Sequence, residues 1–156
     1  MPNWLYLFFN ALYHLGLGLW IGGTIVLGAL VAPALFAALP KHDAGGIFGG
    51  ILRRFARLRV AALIMIIVSA AAKFLIWERN DMAPWLAVRW AAIVLLAWAL
   101  VFDIRGIGKM MIWREGLGPD DAADDPRRVY FEYLHVRAEG LMKASLVAAF
   151  FALLFS

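Results

Sequence analysis

An all-α integral membrane protein, built as a four-helix bundle with an amphipathic surface helix in its first cytoplasmic loop, is the fold this sequence predicts. Three observations carry that expectation. The 156 residues are 64% hydrophobic and only 17% charged, with a mean hydropathy of +0.79, whereas a soluble domain is about half apolar. Four apolar stretches reach or approach the roughly 20 residues that a spanning helix needs: residues 4–32, 60–77, 84–102 and 134–155. Trp4, Tyr6, Trp77, Trp85, Tyr130 and Tyr133 stand near their ends, where an interfacial aromatic belt would lie.

The first stretch is the longest, and residues 13–36 carry a single histidine, His14. Gly18 and Gly22 follow four and eight positions later, hence on the same helix face. Glycines so spaced let a neighbouring backbone approach closely inside lipid, either within the chain or in a homodimer. The segment MPNWLYLFFN lacks a basic leader, so the first span is expected to stay in the mature protein. In residues 41–59, Ile47, Ile51, Phe55 and Leu58 form a stripe opposite Arg53, Arg54 and Arg57, which predicts a helix lying on the membrane surface. A short hairpin at 78–83 joins spans two and three. Residues 105–128, with GLGPDDAADDP at their centre, read as a solvated, mobile loop. No repeat is visible, and residues 1–156 read as a single transmembrane domain.

Loop charge sets the orientation. Lys41, Arg53, Arg54, Arg57 and Arg59 lie before span two, and Arg105, Lys109, Arg114, Arg127 and Arg128 lie before span four; the hairpin between spans two and three holds only Arg79. The bias of positive charge toward the cytoplasm then puts both termini outside. The same residues, facing anionic headgroups, account for the net charge of +4, so the expected partner is the lipid bilayer and no nucleic acid is needed. The absence of cysteine excludes disulfides and thiolate chemistry. GGIFGG at 45–50 lacks the lysine of a phosphate loop, there is no HExxH or Gly-x-Ser-x-Gly, and the acidic third loop has no calcium-binding frame. An ordinary redox or hydrolytic enzyme therefore ranks below a cofactor, transport or scaffold role.

Polar residues at membrane depth are the candidate site. With Trp4 at the outer interface, Asn10 lies ~9 Å and His14 ~15 Å below it, the latter near the middle of a ~30 Å core. Lys73 is ~6 Å and Arg89 ~8 Å from the outer face, shallow enough for both to snorkel outward, with Lys73 lying over Trp77. His14 is too deep to snorkel. Its readings are a ligand or proton carrier, or a packing residue bonded to Asn10 or to a hydroxyl on another helix. On span four, Glu132, His135, Glu139 and Met142 share one face, and Lys143 follows Glu139 by four. With Phe155 at the outer face, His135 lies ~30 Å and Met142 ~20 Å below it. His14 and His135 then differ by ~15 Å in depth, too far to ligate one haem iron through ~2 Å bonds. His14 and Met142 differ by only ~5 Å, and Met65 lies near that level. Imidazole and thioether are ligands for Cu(I) and haem iron, although methionine in an apolar helix is more often packing. His42, in the first loop, is given no role.

The runs HLGLGLWIGGTIVLGALVAPALFAALP and AGGIFGGILRRF resemble the opening of a family of small four-span membrane proteins of unknown function, which groups bacterial members with a vertebrate TMEM protein. The pattern falls here on His14, Trp20 and Gly22, on Phe36, Leu39 and Pro40, on Phe48 and Gly49, and later on Phe131, Leu134 and His135. Ala138 departs from it, standing where the family has a small hydroxyl residue. More distantly, span one is similar to the copper-resistance D (CopD) and HemJ membrane domains, which also open on a histidine followed by Trp or Met and Gly-Gly. Arg89 in WLAVRW stands where HemJ-like chains carry a lysine implicated in haem binding, and a guanidinium does not ligate iron. The resemblance implies a bacterial inner membrane protein.

The function expected from these readings is binding of haem b or copper inside the bundle. His14 would be the ligand, Met142 and His135 further metal candidates, and Lys73 and Arg89 the partners of haem propionates. The alternatives are a small solute or proton transporter using Asn10, His14, Glu139 and Lys143, and a non-catalytic scaffold subunit.

Overall fold

The computed structural model describes residues 3–79, 83–115 and 126–156. Five α-helices account for nearly all of them: α1 (Asn3–Ile25), α2 (Ala32–Ala38), α3 (Lys41–Lys73), α4 (Pro84–Glu115) and α5 (Pro126–Leu154). No strand occurs among the described residues. Two π-helical turns, Val26–Val31 and Phe74–Glu78, extend α1 into α2 and lengthen α3. The first has a local cause. Pro33 lacks an N–H and its ring crowds the carbonyl four residues earlier, so a wider turn just before it lets the helix run on. The chain finally turns at Leu39 and Pro40, both extended (φ/ψ −131°/154° and −52°/142°), as a residue preceding proline prefers.

Among the described residues, three continuous helical stretches are long and apolar enough to cross a membrane: Asn3–Ala38, Lys41–Glu78 and Pro84–Gly106. Their outward faces are apolar as well. Leu15 is 55% exposed, Leu30 64% and Val94 65%, an arrangement stable against acyl chains and costly against water. α1 packs along α3, α3 on α4, α4 on α5, and α5 back on α1. The core between them is Tyr13, Leu17, Trp20, Ile66, Leu96 and the small residues Ala148, Ala149 and Ala152. One end of this arrangement holds residues 3, 79 and 83, with Ser156 stopping short of it at the level of His14; the other holds the Leu39–Pro40 turn.

Several expectations change here. Residues 41–59 are not a separate surface helix: no proline or cap interrupts them, and they continue into the second span as one helix. The stretch expected as a loop at 105–128 is helical up to Glu115 and again from Pro126. The centre of that loop, residues 116–125, lies outside the described residues, as do the side chains of Lys109, Arg114, Arg127, Arg128 and Phe131. The face of α1 that meets α3 is Tyr13, Gly16, Leu17, Trp20 and Thr24, not that of His14, Gly18 and Gly22. A Cβ at Gly16 would stand 2.8 Å from the Ala62 carbonyl oxygen and from Ile66 Cγ1, whereas at Gly18 or Gly22 it would meet nothing within 4 Å. Gly16 is therefore the close-approach glycine, and Gly18 and Gly22 open outward.

Candidate functional site

The polar side chains converge toward the end that carries residues 79 and 83, on the near side of Ser156. Lys73, only 1% exposed, reaches from the last turn of α3 across to α1, where its Nζ donates to Asn10 Oδ1 at 2.9 Å. The rings of Tyr6 and Tyr13 flank the ammonium, with centroids 5.3 and 5.4 Å from Nζ, close enough for cation–π attraction. Tyr13 is itself tied down, its hydroxyl donating to the Ala152 carbonyl of α5 at 3.0 Å.

Arg89, in the second turn of α4, is fully buried. Its Nη1 donates to Glu78 Oε1 at 3.1 Å and its Nη2 pairs with Oε2, a bidentate fork, while Trp85 lies 5.3 Å below the guanidinium. Glu78 reaches this position through the second π-helical turn. Five residues after Lys73, a regular α-helix would point it about 140° away. A turn with i→i+5 hydrogen bonding brings residues five apart nearly onto one side, so Lys73 and Glu78 both face inward. The cluster holds two cations, Lys73 and Arg89, for one carboxylate, Glu78.

His14 is half-buried beside this cluster. Its Nδ1 lies 2.7 Å from the Asn10 carbonyl oxygen and its Nε2 3.2 Å from Ser156 Oγ. A carbonyl only accepts, so Nδ1 carries a proton. Ser156 Oγ also donates to the Leu153 carbonyl at 2.9 Å, and its one hydroxyl proton cannot serve Leu153 and a neutral Nε2 together. When Nε2 also carries a proton, it donates to Ser156 Oγ and the whole chain of bonds is satisfied. The site thus has a proton-dependent hydrogen-bond pattern built around His14.

The structure gathers Asn10, His14, Lys73 and Arg89, and it overturns the expected snorkelling. Lys73 and Arg89 turn inward; Lys73 lies over Tyr6 and Tyr13, not Trp77. Met142 does not share the level of His14. It stands beside Gly28, its Cε 3.7 Å from where a Cβ would be, and Gly28 follows His14 by fourteen residues, or ~21 Å of helix. The reason is the seating of α5: Ser156 ends level with His14, not with Trp4, which drops every α5 residue toward the other end. His135 lies ~31 Å along α5 from that level. Glu139 and Lys143 bond to each other at 2.7 Å across one exposed helix turn and do not join His14. Among the described residues, no three histidine or carboxylate side chains gather as a metal cage.

A second buried ion pair lies at the opposite end of the core. Arg59 Nη1 meets Asp103 Oδ2 at 2.7 Å, both side chains at least nine-tenths buried. The guanidinium lies over Trp20 and Phe55, 5.4 and 5.2 Å from their centroids, and Phe55 fills the space left open by Gly23. Glu78, Arg59 and Asp103 were not in the sequence-based site. A signal for part of this existed: Arg59 and Lys73 on α3, and Arg89 and Asp103 on α4, are each fourteen residues apart. Two antiparallel helices with charges at equal spacing can pair at both ends. The two charged layers are thus ~21 Å apart, with Leu17, Ile66 and Leu96, all fully buried, between them.

No curated protein and no solved structure matches this chain. One sequence family does, over residues 15–111, a stretch that begins just after His14 and includes Trp20, Arg59, Lys73, Glu78, Arg89 and Asp103. By that match over more than half its length, the chain belongs to the family described as a domain of unknown function, DUF4149.

Proposed function

We propose that this chain is a four-helix membrane bundle, with both termini outside a bacterial inner membrane, that moves protons or a proton-coupled solute through the cluster of Asn10, His14, Lys73, Glu78 and Arg89. The observation that carries this reading is the charge count of the cluster. Arginine keeps its proton, and Glu78 matches the charge of Arg89. Among the described residues, Lys73 is left as a buried cation with no carboxylate of its own, held by an amide oxygen and two aromatic rings that tolerate either protonation state. Its proton can leave and return without breaking the Arg89–Glu78 pair, and His14 stands one residue group away through Asn10. Intramembrane ionisable groups are costly to bury and by default mark such pathways.

The test is proton flux into proteoliposomes with an entrapped pH-sensitive dye. Wild-type protein is expected to conduct, Lys73→Met to lose at least ten-fold in rate, and Glu139→Ala, on the exposed part of α5, to match wild type. Wild-type rates equal to those of empty liposomes would remove the proposal. A homodimer formed across the open Gly18–Gly22 face is compatible with it.

A second reading, haem b or copper on His14, is favoured by one detail. Nδ1–H fixed on the Asn10 carbonyl leaves Nε2, which meets Ser156 Oγ at 3.2 Å, as the nitrogen that would ligate, the tautomer that ligating histidines use. The span-one similarity to the CopD and HemJ domains points the same way. The residues present do not fit a two-ligand site within one chain: His135 and Met142 lie tens of ångströms along α5, Arg89 is engaged by Glu78, and Lys73 by Asn10. An optical spectrum and metal analysis of gently purified protein decide it. A Soret band or stoichiometric copper lost in His14→Ala would establish the cofactor, and absence of both would end this reading.

A further inference from the structure

α5 carries a pattern that the bundle itself does not use. Its N-terminal half exposes Glu132, His135, Arg137, Glu139 and Lys143, ionisable side chains that would be costly in hydrocarbon. Yet on that same half Val129 is 57% exposed, Tyr133 48% and Val136 68%. Half-buried Leu134, Ala138 and Leu141 mark the inward side of the helix, and the exposed apolar residues stand opposite them. Gly140 belongs to the same outer stripe, and a Cβ there would meet nothing within 4 Å. Lipid accounts for the exposed Val147 and Leu154 of the apolar half, but not for a stripe set among charges. A helix that spreads such a stripe on a membrane surface lies in its plane, whereas α5 runs unbroken into its apolar half and packs along α4.

The spacing identifies what covers the stripe. Val129, Tyr133, Val136 and Gly140 follow steps of four, three and four, the a and d positions of a heptad repeat and the seam of a two-helix coiled coil. The next position of the series is Lys143, and Glu139 bonds it at 2.7 Å; a single polar residue in such a seam fixes its register. Glu132 and Glu139 flank one edge of the seam and Arg137 the other. The guanidinium of Arg137 lies over the Tyr133 ring, 4.6 Å from its centroid, and so is held at the seam's edge.

All copies of one chain insert into a membrane the same way, so a two-fold dimer sets its two α5 helices parallel. Across a parallel seam, the residue just before an a position faces the residue five further along in the other copy. Glu132 then meets Arg137 of the second copy, and symmetry repeats the pair. Antiparallel pairing would instead set Glu132 and Glu139 against the same acids.

We propose that a second copy of this chain packs on the Val129–Gly140 face of α5 as a parallel two-helix seam, locked by reciprocal Glu132–Arg137 pairs. The surface is separate from the proton pathway proposed above and from the Gly18–Gly22 face of α1.

The test uses the full chain in proteoliposomes at high lipid dilution. The sequence has no cysteine, so a single introduced thiol reports without background. Val136→Cys, within the seam, is expected to form a disulfide-linked dimer under mild oxidation, and Gly18→Cys, on the outer face of α1, to yield at least five-fold less. In the Val136→Cys background, Glu132→Arg and Arg137→Glu should each lower the yield at least five-fold, because each sets like charges across the seam. The double swap Glu132→Arg/Arg137→Glu should restore it. Both positions are exposed, so the swaps leave the packing of the bundle intact, and circular dichroism checks this. A Val136→Cys yield no greater than that of Gly18→Cys would overturn the proposal. Single swaps without effect, or a double swap that fails to recover the dimer, would overturn it equally.

Discussion

Removing the carboxylate of Glu78 strands the guanidinium of Arg89, which is fully buried and, among the described residues, has no other anion beside it. Breaking a buried pair by deleting one partner costs about 3–5 kcal/mol, because the remaining charge is left uncompensated, while replacing both partners with apolar groups of similar volume is often neutral. Glu78→Met is therefore expected to destabilise by about 3–5 kcal/mol. For a chain of this size, at roughly 2–4 °C per kcal/mol, that is a fall of about 6–20 °C in Tm. Arg89→Met should cost less, because a stranded carboxyl can take up a proton and become neutral whereas a guanidinium cannot release one. The double variant Glu78→Met/Arg89→Met should recover most of the loss. The assay is thermal unfolding of all four proteins in one detergent, assembled as a double-mutant cycle. Additive single effects, with a coupling below about 0.5 kcal/mol, would refute the reasoning and show that the two side chains do not depend on each other.

Two further outcomes follow from the packing. Gly16→Ala pushes a methyl against the Ala62 carbonyl and Ile66 at 2.8 Å and should destabilise by about 1–3 kcal/mol, while Gly18→Ala and Gly22→Ala, facing open space, should not. A Gly18→Ala variant that runs at a smaller size on gel filtration would instead reveal a second copy on that face. Tyr13→Phe deletes the hydroxyl that donates to the Ala152 carbonyl and should lower stability by about 1 kcal/mol, read from the same unfolding curves.

The helical character and the apolar stretches were legible because length and composition carry them, and Asn10, Lys73 and Arg89 could be picked out as ionisable or polar groups in apolar runs. Their partners were not legible. Glu78 looked like part of a hairpin because a 3.6-residue period cannot reveal a π-helical turn, and it is that turn which rotates it beneath Arg89. Arg59 looked like one more cytoplasmic arginine, since nothing local distinguishes a charge paired across helices from its exposed neighbours Arg57 and Arg54. The level of Met142 is not legible because a depth counted from Phe155 at the membrane surface assumes that α5 runs to that surface, whereas Ser156 ends beside His14. Gly16 is not in register with the histidine, and nothing local marks it as the close-approach glycine; burial on α1 follows Tyr13, Leu17 and Trp20.

Charge displacement after a proton jump, recorded from proteoliposomes on a solid-supported membrane, tests most directly whether Lys73 carries a movable proton. A transient current is expected from wild type and from Glu139→Ala, and none from Lys73→Met that keeps the wild-type fold by circular dichroism. A current of equal size from folded Lys73→Met would contradict the account and leave the cluster as a purely structural fastening of α1, α3 and α4.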